Sequence, residues 1–261
     1  MITLLFFACW TLIIYFFTTI VDSLYLLPVW FVLGYFIAVI AVILIIVLHL
    51  PFVMLSKPNN RYKHYVTRSL AFWANRFLLH LSIKVEGKEN VPKTGRLTIY
   101  ANHKSYVDPL LILEIIKRPT TFTPKSALYK IPVLKQWLES IACFKIDRSN
   151  TRDTARSMID AINTVKSEVA MTIFPEGGIK DRDEEKMVDM RAGAYKVGLK
   201  AKAELLPIRI FGTTEVKKRA PLRNTKIRVV ILPVIKYDEV KDLNTTEVAD
   251  MVMQRINAVE E

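Results

Sequence analysis

A chain of 261 residues holds one sizeable domain plus an appendage, and its net charge of +12 points to phosphate-bearing partners, in nucleic acid or on an anionic membrane. Two cysteines are too few for a disulfide framework or a cysteine-built zinc site, which suits a reducing compartment. The charge is unevenly placed. Residues 1–56 contain no Lys or Arg and a single acid, Asp22, so residues 57–261 carry 37 basic against 24 acidic side chains, an excess of 13.

Met1 to Val21 is an unbroken apolar run, long enough at about 1.5 Å per residue to cross a hydrocarbon layer of roughly 30 Å. A second run covers Leu24 to Leu55. Asp22-Ser23 lies between them with Pro28 and Trp30 close by, as in a polar turn at an interface. Residues 1–56 are therefore expected to form a membrane-anchoring helical hairpin, two-pass or re-entrant. A signal peptide followed by one span is the competing reading, but a basic n-region and a small-residue cleavage site are both missing. The anchor tips the basic excess toward lipid rather than nucleic acid. Lys57, Arg61, Lys63 and Arg68 follow the second run at once, and by the positive-inside rule they put the C-terminal domain on the cytoplasmic face of the cell membrane.

Within residues 57–82, basic side chains alternate with Tyr62, Tyr65, Leu70, Phe72, Trp73 and Phe77. Helical spacing makes this a basic amphipathic interfacial helix, or else a core helix of the domain. Strands are expected at Ile83 to Glu86 and Leu97 to Ala101, and a helix over Pro109 to Ile116 with Pro109 in its first turn. A strand at Thr120 to Thr123, a helix at Val133 to Ser140 and a strand at Ile141 to Ile146 come next. Asn150 caps an amphipathic helix whose apolar face is Ala155, Met158, Ile159, Ile162 and Val165. After a buried strand at Val169 to Phe174 and a charged loop at Asp181 to Lys186, Arg191 to Lys202 reads as helix. Strands at Glu204 to Phe211 and Lys226 to Leu232 precede a terminal helix over Thr245 to Val259. Alternation of this kind gives an α/β domain over residues 83–261, with a mixed central sheet flanked by helices.

Three loops carry the chemistry. His103 precedes Asp108 by five residues at the end of an apolar strand; a carboxylate on one imidazole nitrogen would fix the tautomer and let the other nitrogen take a proton from a hydroxyl. The spacing alone is common, and it is not the helical HExxH metal pattern. Nothing resembles a G-x-S-x-G nucleophile elbow, and Ser105 suits a turn-capping role better than that of a nucleophile. Phe174-Pro-Glu-Gly-Gly178 is either a plain turn or a phosphate cradle with Glu176 accepting from a hydroxyl. Arg148, ending Phe144-Lys-Ile-Asp-Arg148, offers a fork for phosphate or a surface ion pair with Asp147 or Asp153.

Taken together and in order, Asn102-His103-x4-Asp108, Ile146-Asp147-Arg148, Phe174-Pro175-Glu176-Gly177 and Leu206-Pro207-Ile208 resemble the four sequence blocks of the glycerolipid acyltransferases, in particular the bacterial-type 1-acyl-sn-glycerol-3-phosphate acyltransferases. The resemblance covers roughly Ala71 to Val240 and implies a glycerol-3-phosphate acyltransferase-like fold. It implies His103 as general base and Asp108 as its orienter, with Arg148, Glu176, Gly177 and Gly178 at the acceptor. The reaction would move a fatty acyl group from an acyl thioester, acyl-CoA or acyl-carrier protein, to lysophosphatidic acid, without an acyl-enzyme, a metal or a bound cofactor. A groove for the acyl chain is expected from the Arg61 to Ser82 and Phe122 to Ile141 regions. The chain departs from the family where Thr-Arg often follows Glu-Gly: here stand Gly178-Ile179, and Lys180 or Arg182 would have to substitute. Ala142 and Lys145 are further departures. They keep glycerol 3-phosphate or another lysophospholipid open as acceptor; a non-catalytic, membrane-anchored module binding anionic lipid is the reading from a different class.

Overall fold

The computed structural model describes residues 1–21, 23–143, 151–179, 186–188 and 190–260, with residues 151–155 described by their backbone alone. Met1–Ser56 and Lys57–Glu261 form two compact units. In the first, α1 (Ile2–Ile20) and α2 (Leu27–Leu55) pack against each other. The seam is aromatic: Trp10 Nε1 donates to Phe31 O at 2.9 Å, and Phe17 stacks on Trp30 with centroids 4.8 Å apart. Gly34 permits this closeness, since a Cβ there would lie 3.1 Å from Trp10 Cδ1. Outward faces are equally apolar, with Leu12, Phe16, Phe36, Leu44 and Leu48 exposed. Helices apolar on all sides suit lipid, and both are long and apolar enough to cross a membrane.

The second unit begins with α3 (Arg61–Trp73), capped by the Asn60 side chain, which accepts from Tyr62 N and Lys63 N. One face of α3 buries Lys63, His64, Val66, Thr67, Ala71 and Trp73, while Tyr62, Tyr65 and Phe72 remain exposed. The helix thus serves partly as a core element. The chain continues through β1 (Leu81–Glu86), β2 (Leu97–Ala101), α4 (Asp108–Ile115), β3 (Thr120–Phe122), α5 (Pro132–Ser140), α6 (Thr151–Lys166), β4 (Ala170–Ile173) and α7 (Lys196–Ala201). It ends with β5 (Glu204–Phe211), α8 (Val216–Arg219), β6 (Thr225–Ile231), α9 (Tyr237–Val240) and α10 (Thr245–Asn257).

The strands form one sheet in the order β1-β6-β5-β2-β4-β3, parallel except for the β5–β6 pair, so the expected mixed sheet is found. β2 lies inside it and is buried along its whole length. Leu97, Ile99 and Ala101 join Leu111 and Ile112 of α4 on one side; Tyr100 joins Tyr195, Val248 and Val252 on the other. A run apolar on both faces is what a central parallel strand requires.

Two details differ from the periodicity reading. Ile159 is exposed, and α6 instead buries Ala161 and Val165, because its buried stripe runs through positions 158, 161, 162 and 165. The strand expected over 141–146 begins in a turn, with Ala142 at φ 60°; residues 144–150, including the expected Asn150 cap, lie outside the described residues. The two regions assigned to an acyl groove meet in one buried cluster of Ala71, Leu113, Phe122, Leu138, Ile141 and Cys143.

Candidate active site

Strand register brings two of the three candidate loops together. β2 and β4 run parallel with Thr98 opposite Met171, Ile99 opposite Thr172 and Tyr100 opposite Ile173. Continuing that offset past the strand ends sets His103 level with Glu176. The contact follows: His103 N donates to Glu176 Oε1 at 2.8 Å. On the other side of β2, Asn102 extends the pairing with β5 through its side chain, donating from Nδ2 to Ile210 O and accepting from Ile210 N, both at 2.8 Å.

His103 Nδ1 lies 2.9 Å from Asp108 Oδ2, and Asp108 is fully buried. The same oxygen accepts from the backbone amides of Lys104 and Ser105, each at 2.8 Å. Three donors on one oxygen hold the carboxylate in place. A carboxylate acceptor puts the imidazole proton on Nδ1, leaving the Nε2 lone pair available. The ring is further held by Phe174, stacked with centroids 4.3 Å apart and planes 25° from parallel. Among the described residues Nε2 has no hydrogen-bond partner, and the His103 side chain is 15% exposed.

Glu176 is 5% exposed and both of its oxygens are engaged within the protein: Oε1 takes the His103 amide, and Oε2 pairs with Lys104 Nζ at 3.0 Å. Its neighbours Gly177 and Gly178 have φ of 77° and 148°, conformations that disfavour any side chain. A Cβ on Gly178 would meet nothing within 4 Å, whereas one on Gly177 would lie 2.7 Å from Arg191 Cζ. Arg191 N in turn donates to Pro175 O at 3.0 Å.

The structure thus gathers His103, Asp108, Glu176, Gly177 and Gly178. Arg148 and Lys180 lie outside the described residues, as does Arg182. Lys104, Phe174 and Arg191 belong to the same cluster and were not among the candidates. A lysine following the histidine reads as a solvated charge, and the 14-residue separation of Arg191 from Gly177 carries no periodic signal.

Comparison with known proteins bears on the family and the fold. The acyltransferase family model matches residues 82–211. A 1-acyl-sn-glycerol-3-phosphate acyltransferase from Borreliella burgdorferi is 25% identical over 189 residues, 70% of this chain and 75% of that protein. A probable 1-acyl-sn-glycerol-3-phosphate acyltransferase from Mycoplasma pneumoniae is 28% identical over 195 residues, 69% of this chain and 72% of its own length. Among solved structures, the 1-acyl-sn-glycerophosphate acyltransferase from Thermotoga maritima superposes with a TM-score of 0.62 at 22% identity, covering 97% of this chain and 96% of the other. That last likeness is one of fold.

Proposed function

The chain belongs to the glycerolipid acyltransferase family and is an O-acyltransferase, and on that premise we propose that it acylates the sn-2 hydroxyl of 1-acyl-sn-glycerol 3-phosphate to give phosphatidic acid. The observation that carries the mechanism is the 2.9 Å contact of His103 Nδ1 with the buried Asp108. His103 Nε2 takes the proton of the acceptor hydroxyl as its oxygen attacks the thioester carbonyl. The new C–O bond gives a tetrahedral oxyanion. Its collapse breaks the C–S bond, and the imidazolium returns the proton to the departing thiolate. Asp108 stabilises the imidazolium between the two transfers; general-base catalysis of this kind contributes about 10²–10⁴ in rate. The acceptor itself is the nucleophile, so no acyl-enzyme forms.

The Gly178 amide, where the turn is open, is a candidate donor to the oxyanion. Glu176 contributes by holding the His103 backbone. Arg148 is proposed as a ligand of the acceptor phosphate on its place in the second sequence block, and Lys180 as a substitute for the arginine that Gly178-Ile179 lacks. The apolar hairpin would anchor the chain in the membrane that holds both acceptor and product, with the basic unit facing anionic lipid on the cytoplasmic side.

The test is direct. Full-length protein in mixed micelles is given labelled acyl-CoA or acyl-carrier protein, with lysophosphatidic acid, glycerol 3-phosphate and neutral or zwitterionic lysolipids as acceptors. Labelled phosphatidic acid from lysophosphatidic acid is expected, and its loss in His103→Ala. Failure of every acceptor with both donors sinks the proposal.

A further inference from the structure

The family's arginine after Glu-Gly is replaced here by Gly178-Ile179, yet another arginine reaches the same turn through space. The backbone amide of Arg191 is bonded to Pro175 O, so its position is fixed to the turn that follows β4. Its guanidinium lies directly on the bare backbone of Gly177: an added Cβ would meet Nε and Cζ at once, the latter at 2.7 Å. Gly177 is the residue after the glutamate that clamps the His103 amide, so the fork stands beside the catalytic loop.

Charge accounting assigns the fork a use. Lys104, a second cation beside this turn among the described residues, is 4% exposed and paired with Glu176. Arg191 is exposed, and among the described residues no carboxylate pairs with it. A planar guanidinium with parallel N–H donors matches a phosphate dianion in two-point contact. In the proposed acceptor the phosphate is carried by the carbon next to the one bearing the reactive hydroxyl, so a phosphate ligand has to stand close to His103.

We infer that Arg191 binds the phosphate of the acyl acceptor, its guanidinium laid along Gly177 and supplying the cation that Gly178-Ile179 does not. This rests on the acceptor being 1-acyl-sn-glycerol 3-phosphate. Gly177 then has two reasons to be glycine: its left-handed φ of 77° and the space taken by the guanidinium.

The experiment measures KM and kcat of wild type, Arg191→Gln and Arg191→Lys in mixed micelles, with lysophosphatidic acid and with 1-acylglycerol, which lacks the phosphate. Loss of a charge-assisted contact predicts a rise in KM for lysophosphatidic acid on the order of 10- to 100-fold in Arg191→Gln. KM for the thioester and turnover of 1-acylglycerol stay at wild-type levels, and Arg191→Lys recovers part of the loss. Where 1-acylglycerol gives no measurable turnover, the split between the KM values for lysophosphatidic acid and thioester decides. If Arg191→Gln fails to fold, the same split in Arg191→Lys decides. Equal loss on both substrates, or none on either, overturns the inference while leaving the acyltransferase proposal intact. Absence of turnover in the wild-type protein sinks that proposal instead, and the inference with it.

Discussion

The backbone amide of His103 and the side chain of Glu176 meet at 2.8 Å although 73 residues separate them. Parallel pairing of β2 with β4 sets that separation, and burial makes it consequential: Glu176 simultaneously neutralises Lys104, which is itself 4% exposed. One carboxylate therefore fixes the base's backbone and satisfies a buried cation.

Those two duties separate by mutation. Glu176→Gln keeps an oxygen for the His103 amide but removes the carboxylate 3.0 Å from the buried Lys104 ammonium, and breaking a buried ion pair costs about 3–5 kcal/mol. Thermal unfolding should show this loss, with a fall in kcat. Combining it with Lys104→Met removes the other half of the pair, so stability and most of kcat should return. A double variant that folds as well as wild type yet turns over no substrate would instead require the carboxylate itself in the chemistry.

Asp108→Asn tests the orienter. The amide oxygen can still accept from Lys104 N and Ser105 N, so the loop is retained, but the charge that stabilises the imidazolium is gone. A drop in kcat on the order of 10³–10⁴ is expected, with little change in either KM. Because His103 and Asp108 act as a unit, adding His103→Ala should cost hardly more than His103→Ala alone. Additive losses would indicate separate roles.

How much of this could be read from the residues depends on the range of each interaction. Apolar spans, the strands that became β2, β4 and β5, and the His103–Asp108 pair were legible because their signals are local: run length, short-range pattern, and a spacing bridged by one loop. The Lys104–Glu176 pair was not. It depends on which strands are neighbours and in what register, and a sheet order of β1-β6-β5-β2-β4-β3 leaves no trace in local periodicity. Ile159 shows a narrower failure, where a face five residues wide was read for a stripe that excludes it.

The buried His64 makes stability depend on pH. Its Nε2 lies 2.8 Å from Pro58 O, and Thr120 N donates to Nδ1 at 3.3 Å, an arrangement that needs the neutral ring with its proton on Nε2. Burial pushes its pKa down, the Pro58 bond partly opposes this, and Lys63 and Arg68 add to the fall, to about 4. Between pH 6.5 and 4 the unfolded chain binds a proton that the folded chain refuses, so stability rises with pH through that window. It is fully present above the unfolded value and declines by up to about 3 kcal/mol as pH falls toward 4. Replacing His64 with Gln should flatten this part of the unfolding profile relative to wild type. An unchanged slope would show that other groups set it.

Asn102 provides the sharpest test of how the catalytic loop is launched from the sheet. Its side chain occupies the place of a peptide unit, giving and receiving a hydrogen bond with the backbone of Ile210, both at 2.8 Å, at 1% exposure. Asn102→Ala leaves a buried N–H and a buried C=O unpaired, at about 1–3 kcal/mol for each group. Asn102→Asp restores the acceptor for Ile210 N but presents a carboxylate oxygen to Ile210 O, adding repulsion and a buried charge to the lost bond. The melting temperature should therefore fall in the order wild type, Ala, Asp, even though Asp is the closer match in shape. Because residue 102 immediately precedes the base, kcat should fall in the same order, while heat-stable variants selected elsewhere in the chain should not restore it. If Asn102→Asp melts and turns over like wild type, the two-point link to Ile210 does not hold the loop.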